Sequence, residues 1–419
     1  MRADRARTPD SEAEEDTMTR TRISGIDVWD GHQSLGLVDL TWEAGTITSV
    51  TPSDLATPAS GLSVIPGLVD THVHLDTNAI SGKADRSWGI ITPPEERSLH
   101  ILAHAQRAVQ GGVTTLRDLA SEACHFAVSR ALDAGIVEGP RLYGAGPVGM
   151  TAGHGDLFTP PHYPYRPATA DSPDECRKLV RIWARAGAES IKIYTSGGIL
   201  SMGDKVTWRN HTDAELAATV DEAHALGMLV AAHSHTAEGI DRALAAGVDS
   251  IEHGTGMTPD QMRVLAERNI PVGPTLLIHE RLEAGAEGIA DDAREKSAEM
   301  ARVRGTRLRD AGRAGVRFVL GTDANGVFTL FGDQMEEVRL MAELFGWDAE
   351  RALRAATSDA ADSINLGGLV GTIRTGMAAD FIVIEGRPWE DIAELDTGRI
   401  RAVVARGRVQ AGALPAVVA

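Results

Sequence analysis

Between residues 63 and 320 the chain repeats one pattern: a short apolar run, then a helical pattern, then another apolar run. The runs are Ser63–His74, Val113–Leu116, Arg141–Ala145, Ser190–Tyr194, Leu229–Ala232, Ser250–Glu252, Val272–Thr275 and Arg317–Leu320. Continuous apolar stretches of this length read as strands buried on both faces, and regular alternation with helices implies a parallel sheet. Glu95–Gln110, Ser172–Ala186, Thr212–Leu226, Ala237–Ala246, Pro259–Arg268 and Asp291–Ala311 carry helical spacing, and Thr212-Asp-Ala-Glu has the form of a capping box. Ala246-Gly-Val, Ala314-Gly-Val and Gly111-Gly-Val each place a helix-stopping glycine just before a strand. Eight such strands predict an α/β fold, a (β/α)8 TIM barrel, and His72 and Asp323 lie about 250 residues apart, the usual extent of one.

The two ends have a different texture. Arg22–Asp30, Gly36–Trp42 and Gly45–Val50 alternate apolar and polar residues, as do Asp380–Glu385 and Ile400–Val409. We therefore expect a small β-sandwich domain from residues 20–64 and 365–419, around a barrel of residues 65–364. Residues 1–19 are polar and lack the apolar core of a signal peptide, so they read as a disordered leader.

Hydrophobic residues make up 43% of the 419, enough for a sizeable core. The net charge of −18 argues against a nucleic-acid partner, and no run is apolar enough for a membrane span. Cys124 and Cys176 are far apart and form no CxxC, which points to a reducing, cytoplasmic setting without disulfides.

Polar side chains at the ends of buried strands need a reason to be there. His72 and His74 are two residues apart on a strand and share a face, the geometry for two imidazoles on one metal. Taken alone, an H-x-H pair is equally a pair of satisfied core histidines. Lys192 stands between Ile191 and Ile193 in a buried run, where a bare ammonium is costly unless paired with an acid or neutralised. Reaction with carbon dioxide would make it a carboxylate-like bridge between two cations. His233 and His253 end the fifth and sixth strands and suit a second metal; Val230-Ala-Ala leads straight into His233, which favours it over His235 as ligand. His235 is then a substrate contact or a polar loop residue. His253 alone could equally be a strand-end histidine bonded to Glu252. Asp323 ends the eighth strand, where it can bind metal and carry a proton, or cap a turn in Asp-Ala-Asn-Gly. His154, in a Gly-rich loop after the third strand, could bind a substrate carboxylate, stabilise an oxyanion, or be an ordinary loop histidine, and Tyr194, in the run that follows Lys192, is placed to shape the same pocket and contact substrate. Arg117 and Asp118 read as a structural pair. His32, His100, His104, His125, His162, His211, His224 and His279 read as surface or packing residues.

These motifs together resemble the amidohydrolase superfamily, and within it the imidazolonepropionase-like group that includes Xaa-Pro dipeptidases, arginine/lysine carboxypeptidases and ochratoxin-type amidases. The matching stretches are Val64-Ile-Pro-Gly-Leu-Val-Asp-Thr-His-Val-His-Leu, Gly112-Val-Thr-Thr-Leu-Arg-Asp-Leu, Ile191-Lys-Ile-Tyr-Thr-Ser-Gly-Gly, Val248-Asp-Ser-Ile-Glu-His-Gly, Gly321-Thr-Asp and Gly371-Thr-Ile-Arg-Thr-Gly-Met-Ala-Ala-Asp-Phe. The resemblance implies that His72, His74, N6-carboxylated Lys192 and Asp323 hold one divalent ion, and that Lys192, His233 and His253 hold the other. Zinc is the default for such ligands. It also implies that His154 helps bind a substrate carboxylate, that His235 faces substrate, and that the protein is a homo-oligomer. One departure stands out: the family's Gly-Thr-Asp-Ala-Gly is Gly-Thr-Asp-Ala-Asn-Gly here. The expected activity is hydrolysis of a C–N bond in a dipeptide-like or N-acyl amino acid substrate, with small xenobiotic amides, carbamates or aryl-ureas as the alternative. A lysine bridge speaks against a one-metal deaminase, and a complete ligand set against a binding protein.

Overall fold

A computed structural model describes residues 20–54, 61–80, 85 and 87–415; the expected leader lies outside them. The described residues form two seven-stranded sheets. One is parallel throughout and contains, in order, Leu68–Val73, Val113–Leu119, Arg141–Val148, Ser190–Tyr194, Leu229–Ser234, Ser250–His253 and Val272–Gly273. The predicted eighth strand is not a regular ladder, but it closes the barrel. Val272 donates to the Arg317 carbonyl at 2.9 Å on one side, and Thr71 donates to Leu320 at 2.9 Å on the other. Further along, Asp323 donates to His72 and His74 to Ala324, each at 2.8 Å. The seventh strand is short because Thr275 turns into the left-handed region at φ +49° and begins the helix Leu276–Glu283.

The helices return the chain along the outside. Thr212 caps Asp213–Ala225 with the predicted reciprocal pair: its hydroxyl accepts from the Glu215 N–H, and its own N–H donates to the Glu215 carboxylate. The glycines of the three Gly-Val stops have φ of +91° at Gly112, +85° at Gly247 and +84° at Gly315, a conformation that penalises any Cβ. The sequence pattern missed the helices Ala123–Asp133, Leu276–Glu283, Gln334–Phe345, Ala349–Ala356 and Ser358–Ser363.

The second sheet is built from both chain ends, in the order Arg408–Gly412, Ile400–Ala405, Phe381–Glu385, Leu62–Pro66, Thr21–Trp29, Ser34–Glu43, Thr46–Pro52. It folds over on itself as a β-sandwich: the Trp42 ring lies edge-on to Phe381 at 5.0 Å, and its indole N–H donates to Gly407 at 2.9 Å. The predicted strand Ser63–His74 is in fact two strands in two sheets, divided at Gly67. A Cβ there would come within 2.2 Å of the Thr114 side chain, so only glycine lets the chain pass. Among the described residues no helix is long and apolar enough to cross a membrane.

Candidate active site

The C-terminal ends of the barrel strands open on one cavity of about 330 Å³. Small-molecule sites run from ~300 to 1,000 Å³. His72, His74, His154, Lys192, Tyr194, His233, His235, His253 and Asp323, the nine side chains singled out in the sequence, all line it.

His72 and His74 end the first strand and reach the same carboxylate: their Nε2 atoms are 3.6 and 3.1 Å from Asp323 Oδ1. The His253 ring stacks on His235 at 4.4 Å between centroids and lies 4.7 Å from His233 and 5.2 Å from His72. Ring nitrogens of His233, His235 and His253 lie within 4.8 Å of one another, and so do ligand atoms of His72, His253 and Asp323. His233 and His235 thus both present a nitrogen to this cluster, with His253 shared between the two groups. Neutral imidazoles and a carboxylate, buried and converging, fit a site for divalent ions.

The backbone is bent to aim these groups. His253 and Asp323 have φ of +70° and +56°, which costs a non-glycine residue about 1–2 kcal/mol each. Such outliers collect at functional sites. Hydrogen bonds then fix the rings: Nδ1 of His253 is 2.9 Å from the Thr275 hydroxyl, Nδ1 of His235 is 2.9 Å from the Thr255 hydroxyl, and His233 Nε2 faces the Gly197 carbonyl at 3.1 Å. His154 stacks on Tyr194 at 4.7 Å and rests on Gly198, where a Cβ would come within 2.0 Å of its ring. The loop carrying Gly198 is held from outside by Lys296, which donates to the Gly198 and Ser201 carbonyls and to Asp204 at 3.2, 2.6 and 2.8 Å.

Burial and neighbouring charge set the protonation states. Burial, helped by Lys192, lowers His72 to about 4; burial, with the charges of Lys192 and His74, lowers His154 to about 3, and burial, with His154 and Lys192, lowers His235 to about 3. Burial takes His233, His253 and His279 well below their ordinary value too. These imidazoles are neutral at pH 7, the form that binds metal. Burial also lowers Lys192 to about 8, against the opposing pull of Glu252 and Asp323. Burial alone would raise Asp323, but His72, His74 and Lys192 hold it far below the carboxylate range.

Several supporting residues had no signal in the sequence. Asp70 accepts from the backbone of both His72 and Thr322, at 3.2 and 3.1 Å, and so ties the first ligand strand to the segment bearing Asp323. Glu252 is fully buried beneath the cluster: its Oε1 accepts from Arg117 and from Ser250, both at 2.8 Å, while its Oε2 lies 3.0 Å from His72 Nδ1 without the alignment of a hydrogen bond. The expected Arg117–Asp118 pair does not form. Adjacent residues on a strand face opposite sides, so Arg117 turns into the barrel to Glu252 and Asp118 meets His125 at 3.0 Å. Nor is His279 a surface or packing residue. It is 4% exposed, lines the cavity, and leaves Nε2 without a partner. It sits on Leu276–Glu283, one of the helices that the sequence pattern missed. Asn325, from the unusual Ala-Asn-Gly, also lines the cavity, while Ile199, Leu200, Ile278 and Leu282 give it an apolar wall.

A parallel barrel with histidines, a lysine and an aspartate at its C-terminal mouth defines a barrel hydrolase. Residues 63–409 match the amidohydrolase family, and the chain belongs to it. It is an enzyme of the hydrolase class, acting on carbon–nitrogen bonds of the amide type. It is similar to ochratoxinase of Aspergillus niger, with 31% identity over 352 residues that cover 78% of this chain and 71% of that one. Among solved structures it is similar to a Xaa-Pro dipeptidase with methionine bound in its active site, at 29% identity and a TM-score of 0.83, covering 93% of this chain and 99% of that one. A prolidase complexed with N-methylphosphonate-L-proline matches at 30% identity, TM-score 0.83 and the same coverage.

Proposed function

We propose that this chain is a binuclear metal-dependent amidohydrolase that cleaves the amide bond of a dipeptide-like or N-acyl amino acid substrate. The observation that carries the reading is the meeting of His72, His74, Lys192, His233, His253 and Asp323 around one cavity. In this reading His72, His74, Asp323 and Lys192 hold one ion, and Lys192, His233 and His253 the other. N6-carboxylation would turn a costly buried ammonium into a shared anionic ligand. Only a neutral amine reacts with carbon dioxide, and a lysine lowered to about 8 by burial supplies it near neutral pH. Zinc suits this mixture of nitrogen and oxygen ligands.

Bound divalent ions would supply an acidified water and polarise the scissile carbonyl. Asp323, held as a carboxylate by His72 and His74, accepts the water's proton and delivers it to the departing nitrogen. His154, an uncharged imidazole fixed between Tyr194 and Gly198, donates to the substrate's free carboxylate. His235 and Tyr194 shape the pocket around it. The dipeptidase and prolidase structures, one with an amino acid and one with a proline phosphonate, support a substrate of this kind. The apolar wall of Ile199, Leu200, Ile278 and Leu282 favours the second reading, small xenobiotic amides, carbamates or aryl-ureas. We assign residues 20–64 and 365–419 to the β-sandwich and 65–364 to the hydrolase barrel, in a cytoplasmic homo-oligomer; two buried free cysteines support the reducing compartment.

The test joins elemental analysis with kinetics. About two divalent ions per chain, lost with Lys192→Ala, and faster turnover of Xaa-Pro dipeptides and N-acyl amino acids than of phenylureas are expected. One ion or none in the presence of zinc and bicarbonate overturns the binuclear site, and the reverse substrate order overturns the carboxylate. Asp323→Asn, which suits the same left-handed backbone, should keep its metal and lose ~10²–10⁴-fold in kcat.

A further inference from the structure

Asn325 is the residue by which the loop after Asp323 departs from the family's usual sequence, and nothing in the proposed chemistry uses it. Its surroundings fix it closely. Its Oδ1 accepts from the N–H groups of Val327 and Phe328, at 3.0 and 2.9 Å. Two backbone donors on one oxygen settle which end of the amide is which. The Nδ2 end must face away from the loop, and among the described residues it meets no acceptor. The loop itself cannot drift. The Asn325 carbonyl accepts from the Thr77 hydroxyl at 2.6 Å, and Asn325 and Gly326 both donate to the Thr329 carbonyl, at 3.1 and 2.9 Å. Gly326 lies so close over the His104 ring that a Cβ would come within 2.4 Å of it. The result is a rigid, uncharged donor on the cavity wall, two residues from Asp323.

Barrel order fixes which wall. Asn325 follows the eighth segment, next to the first strand and His74. His154 stacks on Tyr194 and lies 4.3 Å from His233, so its ring stands over the ends of the fourth and fifth strands. In an eight-membered barrel these are the strands opposite the eighth and first. A substrate whose carboxylate is held by His154 and whose amide lies over the centre therefore points its acyl portion toward Asn325.

We propose that Asn325 is a specificity residue that donates a hydrogen bond to an oxygen on the acyl side of the substrate, and so selects N-acyl amino acids bearing such an oxygen over dipeptides with a free amino terminus. The inference rests on the amidohydrolase reading above and deepens it. An ammonium has no lone pair to offer Nδ2, and Oδ1 is already occupied by two N–H groups, so a free amino terminus finds no partner at this position. A donor fixed on the cavity wall discriminates against groups that leave it unpaired once the bound substrate has displaced water from it.

The experiment compares three substrates of matched size: N-glycolyl-, N-propanoyl- and glycyl-L-leucine, which place OH, CH3 or NH3⁺ at one position. The enzyme should prefer them in that order by kcat/KM, by ~10-fold or more between first and last. Asn325→Asp preserves both acceptor bonds of the turn and replaces the donor with an anionic acceptor. It should move the glycyl substrate from last to first, because its ammonium donates to the new carboxylate, whereas the glycolyl hydroxyl turns from acceptor to donor and keeps its place above the propanoyl substrate, while the melting temperature stays within a few degrees. A merely structural Asn325 would change all three rates by one factor, and that result overturns the proposal. So does an unchanged order in Asn325→Asp. If the wild-type enzyme with zinc and bicarbonate cleaves none of the three, the N-acyl amino acid reading itself fails and takes this inference with it.

Discussion

Glu252→Gln changes one atom and should be among the most damaging single substitutions in the barrel. Glu252 and Arg117 form an ion pair at 2.8 Å with both side chains almost entirely out of water. Replacing the carboxylate by an amide leaves the guanidinium buried with no counter-charge, a defect that costs about 3–5 kcal/mol. The titration of Glu252, on which Arg117, His72 and Lys192 act together, points the same way. Burial pushes Glu252 upward, but Arg117 and His72 overcome it and hold the acid at about 2 against an ordinary 4.5. That difference corresponds to about 3 kcal/mol. The acid is depressed in the fold, so this stability is complete above pH 4.5 and drains away as the pH falls through about 2. For a chain of this length the unfolding entropy is ~0.9 kcal/mol/K, so Glu252→Gln should lower the melting temperature by about 3–6 °C at pH 7. It should also flatten the loss of stability between pH 4.5 and 2. Replacing both partners by apolar residues, Arg117→Met with Glu252→Leu, should recover most of the loss. Thermal unfolding of the metal-free protein followed by circular dichroism measures all of this. A loss under ~1 kcal/mol with an unchanged acid limb would refute a buried, ionised pair.

Three further outcomes follow from the same geometry. Lys192→Ala should abolish turnover, and formate or acetate in the assay should restore a measurable part of it, because the truncated side chain leaves room where an anionic ligand is needed; no restoration would count against carboxylation. Thr275→Val removes the partner of His253 Nδ1 and should weaken zinc affinity ~10–100-fold, measured by competition with a chromophoric chelator, with the fold intact. Gly198→Ala pushes a methyl group into the His154 ring and should raise KM for substrates with a free carboxylate more than it lowers kcat, with little change in KM for their carboxamides.

The sequence made the ligands legible because each stands within or just after an apolar strand, where burial makes a polar residue conspicuous. Lys192 between two isoleucines is the clearest case. It could not reveal Glu252, Arg117 or Asp70, whose importance lies in partners 135 and 252 residues away. His279 escaped for another reason: its short helix opens at a threonine in the left-handed region with no side-chain cap, so no helix-start signal precedes it. The sequence shows the eighth segment as a barrel member but not its irregularity, since the Leu320 N–H leaves the ladder for the Ala355 carbonyl, a partner that no local pattern reveals. The single run Ser63–His74 looked like one strand because both of its sheets demand the same buried, β-branched residues.

That last junction limits how such a protein can be recombined. Gly67 donates to the Asp380 carbonyl at 3.0 Å, and Asp380 in turn accepts from Arg141 and from the Arg406 backbone. One residue therefore joins the strand that carries His72 and His74 to a layer contributed by the far end of the chain. Side chains alternate along a strand, so gaining or losing one residue here would turn both histidines out of the barrel together. A chimera that takes its barrel from one relative and its terminal strands from another must be spliced in frame with this glycine, down to the single residue.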